Sequence, residues 1–93
     1  MLFRSEGQGD YETAIEYYNA ALKLLHELKL SGSWDEAYFC RNLANALMKQ
    51  KKHSEAVEPA NKAYDIRMKI VGNHPLTVRS IFQRAVIQVN LSE

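Results

Sequence analysis

The chain repeats itself with a step of 42 residues, and this periodicity limits the possible folds more than any other feature. Identical or similar residues recur at that step in these pairs: Ala14 and Ala56, Ile15 and Val57, Glu16 and Glu58, Asn19 and Asn61, Ala21 and Ala63, Leu24 and Ile66, Leu28 and Ile70. Carried forward, the step places Leu43-Ala44 and Leu47 on Ala85-Val86 and Val89. A repeat of this length holds one supersecondary unit, which buries its apolar face only against its neighbours. The sequence therefore predicts a stacked array.

Punctuation and spacing indicate that the repeated unit is made of helices. Breaks fall at 7–10, 31–33, 51–54 and 72–75, and the segments between them predict helices over about 11–30, 34–50, 55–71 and 75–91. Apolar residues recur every three or four positions in each segment, and no segment alternates with period two. The expected fold class is all-α with about four helices.

The same spacing predicts which residues face the core. The expected inward residues are Ala14, Ile15, Tyr18, Ala21, Leu22, Leu25 and Leu28 on the first helix, Phe39, Cys40, Leu43, Ala44, Leu47 and Met48 on the second, Ala56, Ala60, Ala63, Tyr64 and Ile70 on the third, and Ile81, Phe82, Ala85, Val86 and Val89 on the fourth. The alanines suit close approach of two helix axes. Expected capping residues are Asp10, Ser33 paired with Glu36 in a capping box, and Ser54, with Pro75 in the first helical position.

Composition excludes several classes of function. The formal net charge of +1 gives no field that attracts nucleic acid or an anionic membrane, so neither partner is expected. No segment reaches the roughly 20 apolar residues of a membrane helix. Cys40 is the only cysteine, which rules out an intrachain disulfide and favours a reducing compartment. A soluble, cytoplasmic protein is expected.

The potential catalytic and metal-binding residues do not form a recognisable motif. His26, His53 and His74 lie on different segments without metal-ligand spacing, and Cys40 lies on an apolar stripe as a small core residue would. No phosphate loop, catalytic triad or carboxylate pair can be assembled. We expect no enzyme activity, no metal and no cofactor.

These residues resemble tetratricopeptide repeats, and in particular the 42-residue kind found in the kinesin light chains and their relatives. The resemblance rests on Leu43-Ala44, Leu47, Ala56 and Ala63 in one repeat, on Gly9, Tyr11, Ala14 and Ala21 in the half repeat before it, and on the Gly72-Asn73-His74-Pro75 link. Lys51 stands where the family has a turn glycine, His53 stands in the aromatic position, and the link is one residue short.

The resemblance implies a single array over residues 1–93, a fragment of a right-handed solenoid of antiparallel helix hairpins. Residues 1–9 are then the frayed end of a first helix, 10–30 helix B of a partial repeat, 34–71 one complete repeat, and 75–91 helix A of the next.

The implied function is a protein-binding scaffold whose first helices line a concave groove for a peptide or helix. Asn42 matches a position where the family carries an asparagine that binds peptide backbone. The complete set of expected groove residues is Tyr38, Arg41, Asn42, Asn45, Lys49, Gln83 and Arg84. The basic residues among them favour an acidic peptide.

The end helices lead to a second hypothesis. The first and last helices carry apolar residues, such as Tyr17 and Leu24 or Ile87 and Leu91, for which the sequence offers no further layer. The chain is therefore expected to be a fragment of a longer array. The alternative is a structural module that associates with itself through these end helices.

Overall fold

Four helices and no strand make up residues 8–92, which are the residues that the computed structural model describes. The helices are α1 (Gln8–Glu27), α2 (Trp34–Lys49), α3 (His53–Val71) and α4 (Pro75–Ser92). Each helix packs against the next one along the chain. The expected all-α helical repeat is confirmed.

The first predicted break is wrong over the described residues. Gln8, Gly9 and Asp10 are helical, so Asp10 lies in the first turn of α1 and does not cap it. The rest of the segment expected to fray, residues 1–7, lies outside the described residues. Helix α1 also ends at Glu27, earlier than the expected position near Leu30.

Two lysines in the left-handed region end α1 and α2. Lys29 has φ of 61° and Lys51 has φ of 63°. After Lys51, the Lys52 N–H donates to Leu47 O at 2.8 Å, while the Lys51 N–H donates to Met48 O at 2.9 Å. This pair of bonds is the Schellman motif, in which the left-handed residue is usually glycine. Lys51 therefore adopts the left-handed conformation that the family's turn glycine would adopt at this position.

The same motif ends α1. The Leu30 N–H donates to Leu25 O at 2.8 Å, and the Lys29 N–H donates to His26 O at 3.0 Å. Reversal of the chain at Lys29 explains why α1 stops before the apolar stripe does, and why Leu28 is exposed although it was expected to face inward.

Capping at α2 follows the prediction in part. The Glu36 N–H donates to Ser33 Oγ at 3.2 Å, as expected. The Glu36 carboxylate, however, accepts from the Gly32 N–H and not from Ser33. It also lies 3.5 Å from Lys62 Nζ, so it ties the start of α2 to α3.

Capping at α3 and α4 departs further from the sequence prediction. Ser54 is wrong as a cap, because the tight turn at Lys51 starts the helix at His53 and leaves Lys52 as the N-cap, without a side-chain bond. Pro75 takes the first position of α4 as expected, and the His74 Nδ1 accepts from the Leu76 N–H at 3.1 Å.

The hydrophobic core lies between α2 and α3, where the alanines were expected to permit close approach. Ala44, Ala56, Ala60 and Ala63 are buried. The largest core cluster consists of Leu43, Ala44, Leu47, Ala56, Ala60 and Ile87, with Ile15, Tyr18, Leu22, Met48 and Val57 packed against it. One inward prediction on α3 is wrong: Ile70, in the last turn of the helix, is about half exposed.

The predicted inward face of α4 is also wrong. Val86 is half-buried, whereas Ile81, Phe82, Ala85 and Val89 are exposed. The residues that α4 buries are Thr77, Ser80, Gln83 and Ile87. The side of α4 that packs on α2 and α3 is therefore mostly polar, and the apolar stripe points away from them.

A buried arginine joins α3 to this polar side of α4. Arg67 Nη1 donates to Ser80 Oγ at 3.0 Å and to Leu76 O at 3.3 Å, and its guanidinium lies 5.9 Å from the centre of the Trp34 ring. Burial lowers the pKa of Arg67, and the charges of Arg41 and Arg79 lower it further.

Candidate binding clefts

An open cleft of about 270 Å³ lies between α1 and α2, and three of the expected groove residues line it. Asn42, Asn45 and Lys49 lie along its α2 wall. The other residues that line it are Asp10, Tyr11, Ala14, Tyr18 and Ala46. The cleft thus combines two side-chain amides with two tyrosines, and it holds one residue of each charge sign.

A second cleft, of about 350 Å³, lies between α3 and α4 and contains Arg84. It repeats the first cleft at the 42-residue step. Lining positions of the first cleft that map onto lining positions of the second are Tyr18 on Ala60, Asn42 on Arg84, Asn45 on Ile87, and Ala46 on Gln88. The repeat therefore generates one kind of cleft twice, with different chemistry each time.

Gln83 lies in neither cleft. Its side chain is buried between α2 and α4, where Nε2 donates to Arg41 O at 3.0 Å and to Asn45 Oδ1 at 2.8 Å. The structure therefore gives Gln83 a role in fixing the spacing of two successive repeats. The hydrogen bond to Oδ1 also fixes the orientation of the Asn45 side-chain amide.

The remaining expected groove residues are dispersed. Tyr38 is exposed and packs edge-on against Phe39, with ring centres 5.4 Å apart. Arg41 is half-buried, and its Nε atom is buried without a hydrogen-bond partner. Arg84 lies over the Tyr64 ring, 4.4 Å from its centre, which is a cation–π contact. The structure does not bring Arg84 together with Asn42.

Comparison with known proteins gives one match. Residues 6–24 match the family of the tetratricopeptide repeat. This match supports the tetratricopeptide family. No curated protein and no solved structure matches the chain.

The matched segment covers most of α1, which packs on α2, and it includes Ala14 and Ala21. Tetratricopeptide repeats generally mediate protein–protein interactions. The match does not reach the complete repeat over 34–71, and it does not distinguish the kinesin-light-chain kind from others.

The Cys40 thiol is buried, and the imidazoles of His26 and His74 make local hydrogen bonds. Burial, and to a smaller extent the charge of Glu36, raise the pKa of Cys40 to about 11, and the charge of Lys62 partly opposes them. His26 Nδ1 lies 3.1 Å from Ser31 Oγ, and His74 caps α4. Over residues 8–92, no group of three or more His, Cys, Asp or Glu side chains is arranged to hold a metal ion. None of the helices in that range is long and apolar enough to cross a membrane.

Proposed function

We propose that the chain is a non-catalytic interaction module that binds an extended peptide or a helix in the α1/α2 cleft. The observation that carries the proposal is the grouping of Asn42 and Asn45 on one wall of an open cleft, opposite Tyr11 and Tyr18. An asparagine amide offers two donors and one acceptor without charge, so it suits hydrogen bonding to a peptide backbone. Tyrosine rings offer apolar contact together with a polar tip.

Neighbouring contacts support a rigid amide wall. Asn45 is held by Gln83, which is itself anchored on Arg41 O. Preorganised groups lose little conformational entropy on binding. Asn45 is therefore the fixed member of the pair, and Asn42 is the amide available to a ligand.

The charges of the cleft define the ligand more closely. We propose a peptide with an acidic group at the Lys49 end, because this ammonium is exposed on the cleft wall. Asp10 lines the same cleft, so a uniformly acidic peptide would be repelled there. Arg84 lies in the second cleft and does not add to the charge of the first.

Two finer proposals concern the repeat type and the cellular location. The recurrence of the cleft at a step of 42 residues supports a repeat of the kinesin-light-chain kind. A cytoplasmic location is proposed from the single cysteine, whose thiol is buried and free.

Peptide-library binding to matched variants tests the proposal. We expect Asn42→Ala to weaken the selected peptides about tenfold, the equivalent of roughly 1.4 kcal/mol for a lost peptide contact. Asn19→Ala is the control, since Asn19 is an exposed amide on α1 that does not line the cleft. Arg84→Ala reports on the α3/α4 cleft separately.

Unchanged affinity of Asn42→Ala would remove the α1/α2 cleft from the proposal. A loss confined to Arg84→Ala would move the binding site to the second cleft. Equal losses in Asn42→Ala and Asn19→Ala would show that the effect does not arise at the cleft.

A further inference from the structure

A buried arginine without an acidic partner lies where α2, α3 and α4 meet. Arg67 is 4% exposed, and its Nη1 atom donates to Ser80 Oγ and to Leu76 O. Its Nε atom is buried without a hydrogen-bond partner, whereas Nη2 makes no hydrogen bond within residues 8–92 and keeps contact with solvent. Buried charges are normally paired, because their removal from water is costly. Arg67 therefore has unused donors and lacks a countercharge.

Two more arginines lie close to Arg67. Arg79 directly precedes Ser80, which accepts from Arg67, and Gln83, one turn after Arg79, donates to Arg41 O at 3.0 Å. Burial lowers the pKa of Arg67, and the charges of Arg41 and Arg79 lower it further, as their proximity requires. Arg41 is half-buried, with its Nε atom buried and unpaired, and Arg79 is exposed. We call these three arginines the arginine cluster; it extends from the interior to the surface.

The arginine cluster is not neutralised by the acidic residues of the chain. Within residues 8–92, no carboxylate forms an ion pair with it; the engaged carboxylate, that of Glu36, pairs with Lys62. Asp35, in the first turn of α2, is exposed and forms no ion pair in that range. A bound anion would therefore relieve the repulsion among like charges and accept charge-assisted hydrogen bonds.

Aromatic surface adjoins the arginine cluster. The centre of the Trp34 ring lies 5.9 Å from the Arg67 guanidinium, and Trp34 is 38% exposed. Tyr38, one turn further along α2 and three residues before Arg41, is 56% exposed. The two rings offer apolar contact beyond the reach of a free inorganic anion. This surface suits an anionic group that is attached to a larger chain.

We propose that the arginine cluster binds the phosphate group of a phosphorylated peptide whose chain lies across Trp34 and Tyr38. A phosphate monoester carries a charge of about −1.5 to −2 at neutral pH, and its oxygens match the planar fork of a guanidinium. A single carboxylate would leave more of the charge of the cluster uncompensated. The site shares no residue with the lining of the α1/α2 cleft, so the proposed function and this proposal succeed or fail separately.

Trp34 fluorescence provides a binding assay, because Trp34 is the only tryptophan of the chain and lies beside Arg67. The probe is an end-blocked alanine pentapeptide with a central phosphoserine, compared at constant ionic strength with the same peptide carrying glutamate or serine. We expect saturable binding of the phosphoserine peptide, with about tenfold weaker binding of the glutamate peptide and no binding of the serine peptide.

Single substitutions test whether the arginines form the site. Arg79→Gln changes an exposed side chain, so the fold is retained, and it should weaken binding of the phosphoserine peptide about tenfold. Arg41→Gln should weaken it similarly. Lys69→Gln is the matched control, because it removes one positive charge from an exposed side chain of α3 outside the cluster. Its affinity should equal that of the unmodified chain, and circular dichroism at 222 nm verifies the helix content of each variant.

Four results would overturn the proposal. The first is no binding of the phosphoserine peptide by either fluorescence or calorimetry, and the second is equal affinity for the phosphoserine and glutamate peptides. The third is an equal loss of affinity in Arg79→Gln and Lys69→Gln, which would show a general effect of charge. The fourth is saturation by inorganic phosphate at the same concentration as by the phosphoserine peptide, which would assign the cluster to a free anion.

Discussion

Replacing Lys51 by glycine is expected to stabilise the fold, because the residue holds a left-handed backbone conformation with φ of 63°. An L-residue with a Cβ atom pays about 1–2 kcal/mol for this conformation, and glycine does not. Glycine also raises the entropy of the unfolded chain, which costs about 0.4–1 kcal/mol. The net gain is about 1 kcal/mol. Both hydrogen bonds of the Schellman motif at this turn are made by backbone atoms, so the substitution retains them.

Charge has to be separated from conformation in this test. Lys51 follows the C-terminus of α2, where a positive charge interacts favourably with the helix dipole and stabilises the helix by a few tenths of a kcal/mol. Lys51→Ala removes the same charge and keeps the Cβ atom, so the difference between Lys51→Gly and Lys51→Ala isolates the backbone effect. We expect Lys51→Gly to melt about 4–8 °C above Lys51→Ala in a domain of this size.

Thermal and urea unfolding followed by circular dichroism at 222 nm measures this difference. Melts recorded at two protein concentrations show whether association contributes to the melting temperature. Equal stability of the two variants, or a less stable glycine variant, would refute the assignment of a strained left-handed turn to Lys51.

Three further predictions concern the interior. Ala63→Trp should abolish cooperative melting, because Ala63 is fully buried between α2 and α3, whereas Lys29→Ala should leave the transition nearly unchanged; matching melts would contradict the packing. Gln83→Ala should cost about 1–3 kcal/mol in urea unfolding, because it removes both hydrogen bonds of the buried Nε2 group, to Arg41 O and to Asn45 Oδ1, while Gln88→Ala on the exposed side of α4 should cost under 0.5 kcal/mol. The raised pKa of Cys40 means that the folded state retains the thiol proton up to a higher pH than the unfolded state does. Its contribution to stability is therefore complete below about pH 9 and is lost as the pH rises to about 11, and Cys40→Ala should flatten stability over this window.

The helical class and the α2/α3 core follow from local information. Apolar spacing marks the inner side of a helix when another helix covers it, and the alanines at 44, 56, 60 and 63 are buried as expected. The spacing of three and four residues also places Asn42, Asn45 and Lys49 on one surface of α2. Their role in binding stays a prediction.

Helix ends were harder to predict, because they depend on which of several possible turns the chain adopts. Ser54 and Asp10 are good capping residues by type, yet the left-handed turn at Lys51 and the helical start at Gln8 place both of them inside helices. The left-handed conformation could not be predicted from the residue type, because lysine seldom adopts it.

The sequence alone determined that the chain is helical, that it repeats every 42 residues, and which alanines allow two helices to meet. Only the tertiary structure decided which side of α4 is used within one copy. Hydrophobicity indicates that Phe82 and Val89 favour burial, but not by which partner. Hydrogen bonds of Gln83 and Arg67 instead hold α4 on α2 and α3. These bonds form only when the three helices are already in place.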